Sequence, residues 1–411
     1  MARTPGRHAL AFIMVTLVID TLGFGIIIPV LPGLIAELTG GTIAAAAGYG
    51  GALMFVFALM QFCCAPILGG LSDRFGRRPV LLLALATLTL DYLIMGFADS
   101  VVLLFVGRIL SGASAATFST ANAYIADITP EAERAGRFGL VGAAFGIGFI
   151  FGPALGGLLG EFDLRLPFFV AAGLAFTNLL YGLLVLPETL PPGRRRPFEW
   201  RRANPVAAIR LLRNTAMGGS IAVALVLHFV AHDVNPATWT YYALHKFDWS
   251  QGQVGAALAV VGLSSAIVSG TLVGPIVARL GEVRAAYLGL LSAALAFFGY
   301  AFASEGWMMF PWVFVGAFIG LVMPSLRGLL SRSTPAEAQG ELQGAIGSLV
   351  GLTSIVGPLL MTQTFRYFST DASPYYFPGA AFFLAACLAL AAAAAVATAV
   401  RRLPAAGAAS A

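Results

Sequence analysis

Twelve long apolar stretches, almost free of charge, decide what this chain can fold into. They fall near residues 9–31, 46–68, 80–98, 101–124, 137–160, 166–186, 216–243, 252–277, 284–303, 307–330, 343–366 and 376–400. Each comes close to the roughly 20 residues that carry a helix across a bilayer. Only helices or closed barrels satisfy the backbone in lipid, and runs of this length are helices. The expectation is an all-α integral membrane protein with twelve transmembrane helices. Charged residues make up 10% of the chain, against about a quarter in soluble domains. Cys63, Cys64 and Cys387 lie inside apolar runs and suggest no disulfide framework. Met1–His8 is a short basic tip before an apolar run longer than a signal-peptide core. The first span is therefore expected to stay in the membrane.

Placing the N-terminus in the cytoplasm puts 20 of the 24 Lys and Arg residues on that side. Arg165, Lys246 and Arg366 fall outside, and Arg108 lies within a span. Short cytoplasmic loops concentrate basic residues, so both termini are expected inside. The net charge of +5 then reflects topology and implies no nucleic-acid partner. A proline- and arginine-rich connection, 187–215, divides the spans six and six, and seven arginines lie between 194 and 213. It reads as a cytoplasmic linker, the other reading being a regulatory or lipid-binding basic patch.

An offset of 205 superposes Gly69 on Gly274, Arg74 on Arg279 and Gly76 on Gly281. It also places Thr129-Pro130 on Thr334-Pro335, Gly139 on Gly344 and Gly152-Pro153 on Gly357-Pro358. Two pseudo-symmetric six-helix bundles are expected, 1–186 and 216–411, an arrangement suited to rocking around a midplane site.

Between the second and third spans stands Gly69-Gly-Leu-Ser-Asp-Arg-Phe-Gly-Arg-Arg-Pro79, three arginines and an aspartate in one short turn. Asp73 and its arginines can form charge-assisted contacts that hold one conformation of an inner gate. The second-half copy is degenerate, with Ala278 at the aspartate position. The coupling machinery is therefore expected in the first half.

Within spans, each ionisable group costs at least about 2.5–3.5 kcal/mol near a helix centre, so function is the default reading. Asp20 lies about 17 Å into the first span at 1.5 Å per residue; Asp91 is similarly deep in the third, and Arg108 sits in the fourth. Asp20 and Arg108 read as proton-coupling groups. For Asp91, coupling and a helix-orienting ion pair both stay open. The seventh span brings His228, His232, Asp233 and Asn235 ahead of Pro236. Two histidines four residues apart could bind a metal, but no further ligands accompany them, and no metal is expected. A polar pocket wall, or a second protonation site in which Asp233 takes part, is the reading preferred. Gln61, Asn122, His228, His232, Asn235 and Gln343 are expected as hydrogen-bonding groups of a substrate cavity. Trp239, Tyr241 and Tyr242 suit an outer vestibule or an interfacial belt. No cofactor site and no catalytic constellation are present, so an enzyme is not expected.

The loop motif resembles that of the major facilitator transporters. With its flanks it is most similar to the tetracycline/proton antiporters among the drug:H+ antiporters. The likeness includes Ile19-Asp20-Thr-Leu-Gly-Phe-Gly-Ile-Ile-Ile-Pro-Val-Leu-Pro32, Ala58-Leu-Met-Gln61, Leu90-Asp91-Tyr92, Gly107-Arg108-Ile-Leu-Ser-Gly112, Ser304-Glu-Gly-Trp307, Gln343-Gly344 and Gly357-Pro-Leu-Leu360. In the fifth span, Gly148, Gly152, Pro153, Gly156 and Gly157 resemble the antiporter signature of drug:H+ exchangers. Small residues at four-residue spacing let helices approach closely, and the proline is expected to kink the helix.

The resemblance implies a gate of Gly69, Ser72, Asp73, Arg74, Gly76, Arg77, Arg78 and Asp127. In it Arg77 pairs with Asp127, and Asp73 approaches a helix N-terminus of the second half, the eleventh span. It further implies a monomeric exporter in a bacterial inner membrane, exchanging protons for an amphipathic drug. Two departures bear on the substrate. The ninth span lacks the acid of the tetracycline exporters, and Ser264 and Ser265 occupy the region of their eighth-span histidine. A facilitator for a normal metabolite is the alternative. A non-transporting receptor of the same fold would need no intramembrane carboxylates, and this chain has them.

Overall fold

A computed structural model of the chain describes residues 7–115, 117–130, 133–191, 193, 195, 218–370 and 373–401. Most of the expected 187–215 linker, and the chain beyond Arg401, lie outside these residues. Among the described residues there are helices and turns and no strand. In chain order the helices are α1 (Arg7–Ile27), α2 (Leu31–Thr39), α3 (Ile43–Phe75), α4 (Arg77–Phe97), α5 (Val101–Ala113), α6 (Thr117–Ile128), α7 (Arg134–Gly160) and α8 (Leu166–Val185). There follow α9 (Gly218–His232), α10 (Val234–Lys246), α11 (Gln251–Ile267), α12 (Val273–Phe302), α13 (Met309–Gly316), α14 (Val322–Arg332), α15 (Gln339–Phe368) and α16 (Ala380–Val400).

Ten helical stretches are long and apolar enough to cross a membrane. One of them, Gln251–Phe302, is 52 residues long and turns back at Gly281, whose φ of 77° and ψ of 165° interrupt α12. The fourth expected span is built from α5 and α6, each too short to cross alone. The twelve expected spans are thereby accounted for.

Two glycines set the corners. Gly76 (φ 110°, ψ 164°) starts α4, and Gly281 does the same for the ninth span. Only glycine adopts such backbone angles without strain. At Gly76 a side chain would also run into the Glu188 carboxylate. The two corners are separated by 205 residues, the offset found in the sequence.

The chain forms two compact units: 1–41, 56–204 and 250–259 in the first; 42–55, 205–249 and 260–411 in the second. In the first, Phe12, Ile13 and Leu17 of α1 pack with Leu81, Ala121, Tyr124, Ile125 and Ala144. In the second, Ile221, Ala224 and Leu225 of α9 pack with Ala286 and Leu290 of α12, Val322 and Leu326 of α14, and Ala392 and Val396 of α16. Alanine carries much of the buried face of α16, as expected where close packing, rather than exclusion from water, joins helices in lipid. Large apolar residues face outward, Leu184 with 85% of its surface exposed. That suits hydrocarbon and not water.

The tightest crossing is α7 on α1. A Cβ on Gly148 would strike Thr21 and Leu22; on Gly152, the Leu22 carbonyl and Gly25; on Gly156, the Ile26 carbonyl. Gly25 in turn lies against the Pro153 ring. α7 runs through Pro153 as one helix, with the one backbone hydrogen bond that a proline cannot donate left out. Gly157 packs on Gln251 and Gly255 at the start of α11. Beside it the Glu161 carboxylate accepts the Gly252 N–H at 2.7 Å. Hydrogen bonds from Ser250 and this N–H hold the Glu161 carboxyl below the usual range.

Gly156→Ala should cost about 1–3 kcal/mol of stability through overpacking, read as thermal unfolding in detergent. Gly142→Ala, where a new Cβ meets nothing, should leave the melting curve in place. Equal effects of the two would contradict the close crossing.

Candidate functional site: buried charges and two corners

The intramembrane ion pair joins Asp91 of α4 to Arg108 of α5, through Asp91 Oδ2 and an Arg108 terminal nitrogen. Asp91 is fully buried. Gly107 leaves the room its carboxylate occupies, since a Cβ there would meet Asp91 Oδ1. The Arg108 guanidinium lies 5.6 Å from the Phe57 ring centre and 3.0 Å from Met95 Sδ. Asp91, for which coupling and a helix-orienting pair were both open, stands in an ion pair here. Arg108, expected to serve coupling, is engaged by the same bond. Such a pair is strongly favoured over either charge alone in a low-dielectric interior.

Asp20 has no ion-pair partner among the described residues. It lies on α1 directly before Thr21, where Gly148 of α7 closes on that helix. Tyr92, the residue after Asp91, is buried. A Cβ on Gly23 of α1 would meet the Tyr92 hydroxyl, so the ring lies against the helix that carries Asp20, a contact the sequence did not announce.

At the corner between α3 and α4, Arg77 donates to Asp73 at 2.6 Å and to the buried Ser72 hydroxyl at 3.0 Å. Its Nε donates to Asp127 at 3.2 Å. Arg78 donates to the Leu183 carbonyl at 2.7 Å. Gly69 has open space around it, and Arg74 lies over the Phe75 ring. A further residue, missed in the sequence, completes the corner. Glu188 accepts the backbone N–H groups of Arg77 (2.9 Å) and Arg78 (3.2 Å), placing a negative charge at the positive end of α4. The Tyr124 hydroxyl ties the same segment by donating to the Pro187 carbonyl at 3.0 Å.

The second unit repeats this corner with the signs exchanged. Arg332 at the end of α14 pairs with Glu282, the residue after Gly281, at 3.2 Å. The offset of 205 carries Arg77 to Glu282 and Asp127 to Arg332. Arg77 and Glu282 each keep 13% of their side-chain surface. Gly328 leaves room for the Glu282 carboxylate. The second-half loop, degenerate at Ala278, therefore keeps its ion pair in inverted form.

The polar residues of the seventh span fall where α9 gives way to α10, just ahead of Pro236. α9 ends at His232, and α10 begins at Val234 with Asp233 between them. His228 is buried and His232 exposed, their rings 6.2 Å apart. No group of three metal-binding side chains occurs among the described residues. Asn235 is half-buried on α10, and Gln343 is exposed on α15. In the first unit Gln61 is exposed on α3 and Asn122 half-buried on α6.

Trp239, Tyr241 and Tyr242 line no vestibule; all three are buried. Trp239 and Tyr242 join an aromatic cluster with Tyr300 and Phe382 at centroid distances of 5.0–6.4 Å. The Tyr242 hydroxyl donates to the Tyr300 carbonyl at 2.6 Å and accepts from Lys246 at 2.9 Å. Trp239 Nε1 and the Tyr241 hydroxyl are buried without a hydrogen-bond partner among the described residues, whereas the satisfied Tyr242 hydroxyl lets its ring sit inside. The sequence pattern alone does not distinguish that from an interfacial belt.

Removing one partner of the Asp91–Arg108 pair should cost about 3–5 kcal/mol. Asp91→Asn, Arg108→Gln and the double variant form a cycle, measured by unfolding in detergent. The double variant should lose far less than the sum of the singles. Additive losses would mean that the two residues act separately.

The Major Facilitator Superfamily model matches residues 13–358 and again 221–410. Among similar proteins are tetracycline resistance protein, class C, of Escherichia coli and class G of Vibrio anguillarum. The first is 41% identical over 359 residues, covering 87% of this chain and 90% of the relative. The second is 40% identical over 352 residues, covering 84% and 88%. In fold, the chain matches a bacterial homologue of the human lysosomal transporter Spinster, with a TM-score of 0.78 at 15% identity over 96% of each chain. It also matches the nucleoside transporter NupG, with a TM-score of 0.76 at 13% identity over 95% of this chain and 98% of the other. Twelve spans, two repeated corners and this likeness along most of the sequence converge: the chain is a multi-pass membrane protein of the Major Facilitator Superfamily, and within it belongs with the tetracycline resistance proteins.

Proposed function

We propose that the protein is a proton-coupled exporter of amphipathic, tetracycline-like drugs in a bacterial cytoplasmic membrane. It works as a monomer with both termini in the cytoplasm. Asp20 is the observation that carries the reading: a carboxylate at membrane depth with no ion pair among the described residues, on the helix that the α7 glycines clasp. Arg108 is already engaged by Asp91, so Asp20 is the first-unit acid free to take and release a proton. The names of the relatives, tetracycline resistance proteins, support efflux over carriage of a metabolite.

In this cycle the proton from outside and the drug from inside compete for Asp20. Each shifts the protein toward the state that binds it better, the only way a ligand moves a conformational balance. The halves 1–186 and 216–411 are the rocking bodies, and the Arg77 and Glu282 corners brace the inner ends of their helices. Gln61, Asn122, His228, His232, Asn235 and Gln343 contribute polar groups along the substrate path.

Inverted membrane vesicles test this reading. A pH gradient should drive tetracycline uptake by the wild type, and Asp20→Asn should lower that uptake at least tenfold while drug binding persists. Undiminished gradient-driven uptake by the variant would remove Asp20 from coupling.

A further inference from the structure

The offset of 205 carries Gly152-Pro153 of α7 to Gly357-Pro358 of α15. The two pairs meet different neighbours. In the first unit, Gly152 lies against backbone, the Leu22 carbonyl and Gly25. In the second, Gly357 lies against a carboxylate: a Cβ there would strike Asp233 Oδ2. An acid thus fills the groove that the glycine opens, where the first unit has close backbone packing.

Asp233 stands between α9 and α10 with helical backbone angles (φ −62°, ψ −15°), and its backbone keeps the helical bonds to Phe229 and Ala237. Its Oδ2 is buried without a hydrogen-bond partner, and its carboxylate has no ion pair among the described residues. No ion pair to a Lys or Arg relieves it among the described residues. Lys246 of α10 itself bonds to Tyr242. Arg279 and Arg284 of α12, which meets α10 at Tyr300, lie at the far end of that helix. α15 carries no acid or base between Leu342 and Phe365, and α16 carries none but Cys387. On α9 the titratable groups are His228 and His232, the first buried and the second exposed. An ionised carboxylate in such a place is costly unless a cation joins it.

We propose that Asp233, seated on Gly357, is a second exchange site, protonated in the resting protein and ionised when a positively charged group of the substrate reaches it. The O–H bond of the acid breaks, the proton passes to water, and the carboxylate pairs with the substrate cation. The site selects substrates that carry a positive charge. This inference rests on the proton-coupled efflux reading and adds a second carboxylate to it.

The test counts protons released per drug bound. Purified full-length protein in weakly buffered detergent receives tetracycline or tetraphenylphosphonium, and an indicator dye reports the protons. Wild type should release about one proton more per bound cation than Asp233→Asn, by the one-proton stoichiometry of a single carboxyl. Asp233→Glu should recover that proton. Gly357→Ala, which pushes the carboxylate off its seat, should weaken tetraphenylphosphonium binding several-fold without removing the acid. Equal proton release from wild type and Asp233→Asn, with Asp20→Asn still lowering it, overturns the second site alone. Binding by wild type without any proton release overturns the coupled-efflux reading and this inference together. Monodisperse elution and a melting transition for each variant separate these outcomes from failure to fold.

Discussion

A carboxylate at membrane depth must be paired, protonated or reached by water, because hydrocarbon offers nothing in place of its hydration. This chain meets that constraint in different ways at its three deep acids. Asp91 is paired, held by Arg108 in a pocket that Gly107 opens. Asp20 and Asp233 have no ion pair among the described residues, so their charge depends on what arrives. A paired acid is suited to orienting helices, whereas an unpaired one is available to protons and ligands. The functional reading follows from that division more than from any single motif.

The surface charges serve a different end. Each helix start at the two corners needs a glycine of positive φ, and each corner is braced by an ion pair reaching the end of another helix. In the first unit the arginine follows the glycine; in the second the glutamate does. Pairing survives such a reversal because attraction depends on the product of the charges. Glu188 adds a fixed anion at the start of α4. These contacts set where helices begin and leave the deep acids free to change state.

Much of this was legible in the sequence. The twelve apolar runs and the offset of 205 identified spans and pseudo-symmetry, because lipid imposes length and composition directly. The fifth-span glycines announced a close crossing, though not that the partner was α1. The pairing of Arg108 with Asp91 rather than Asp20 was hidden, since it depends on how two helices are rotated about their axes. Glu188 lay in a proline-rich connection and carried no periodic signal. Glu282 and Arg332 were within reach, because the offset maps them onto Arg77 and Asp127. Ala278 at the aspartate position masks them, although the loss of that side chain does not disturb the pair. The burial of Trp239, Tyr241 and Tyr242 was not readable, because an aromatic belt and an aromatic core share one composition.

Coupling between proton and drug is reciprocal by linkage, and this gives the most direct measurement. Proteoliposomes holding a pH dye, with equal pH on both sides and a tetracycline gradient imposed across the membrane, should show proton movement opposite to the drug. That movement should vanish when the drug is omitted or when Asp20→Asn replaces the wild type. Drug flux with no change in internal pH would contradict proton-coupled efflux, leaving a transporter of this fold that moves its substrate down a gradient alone.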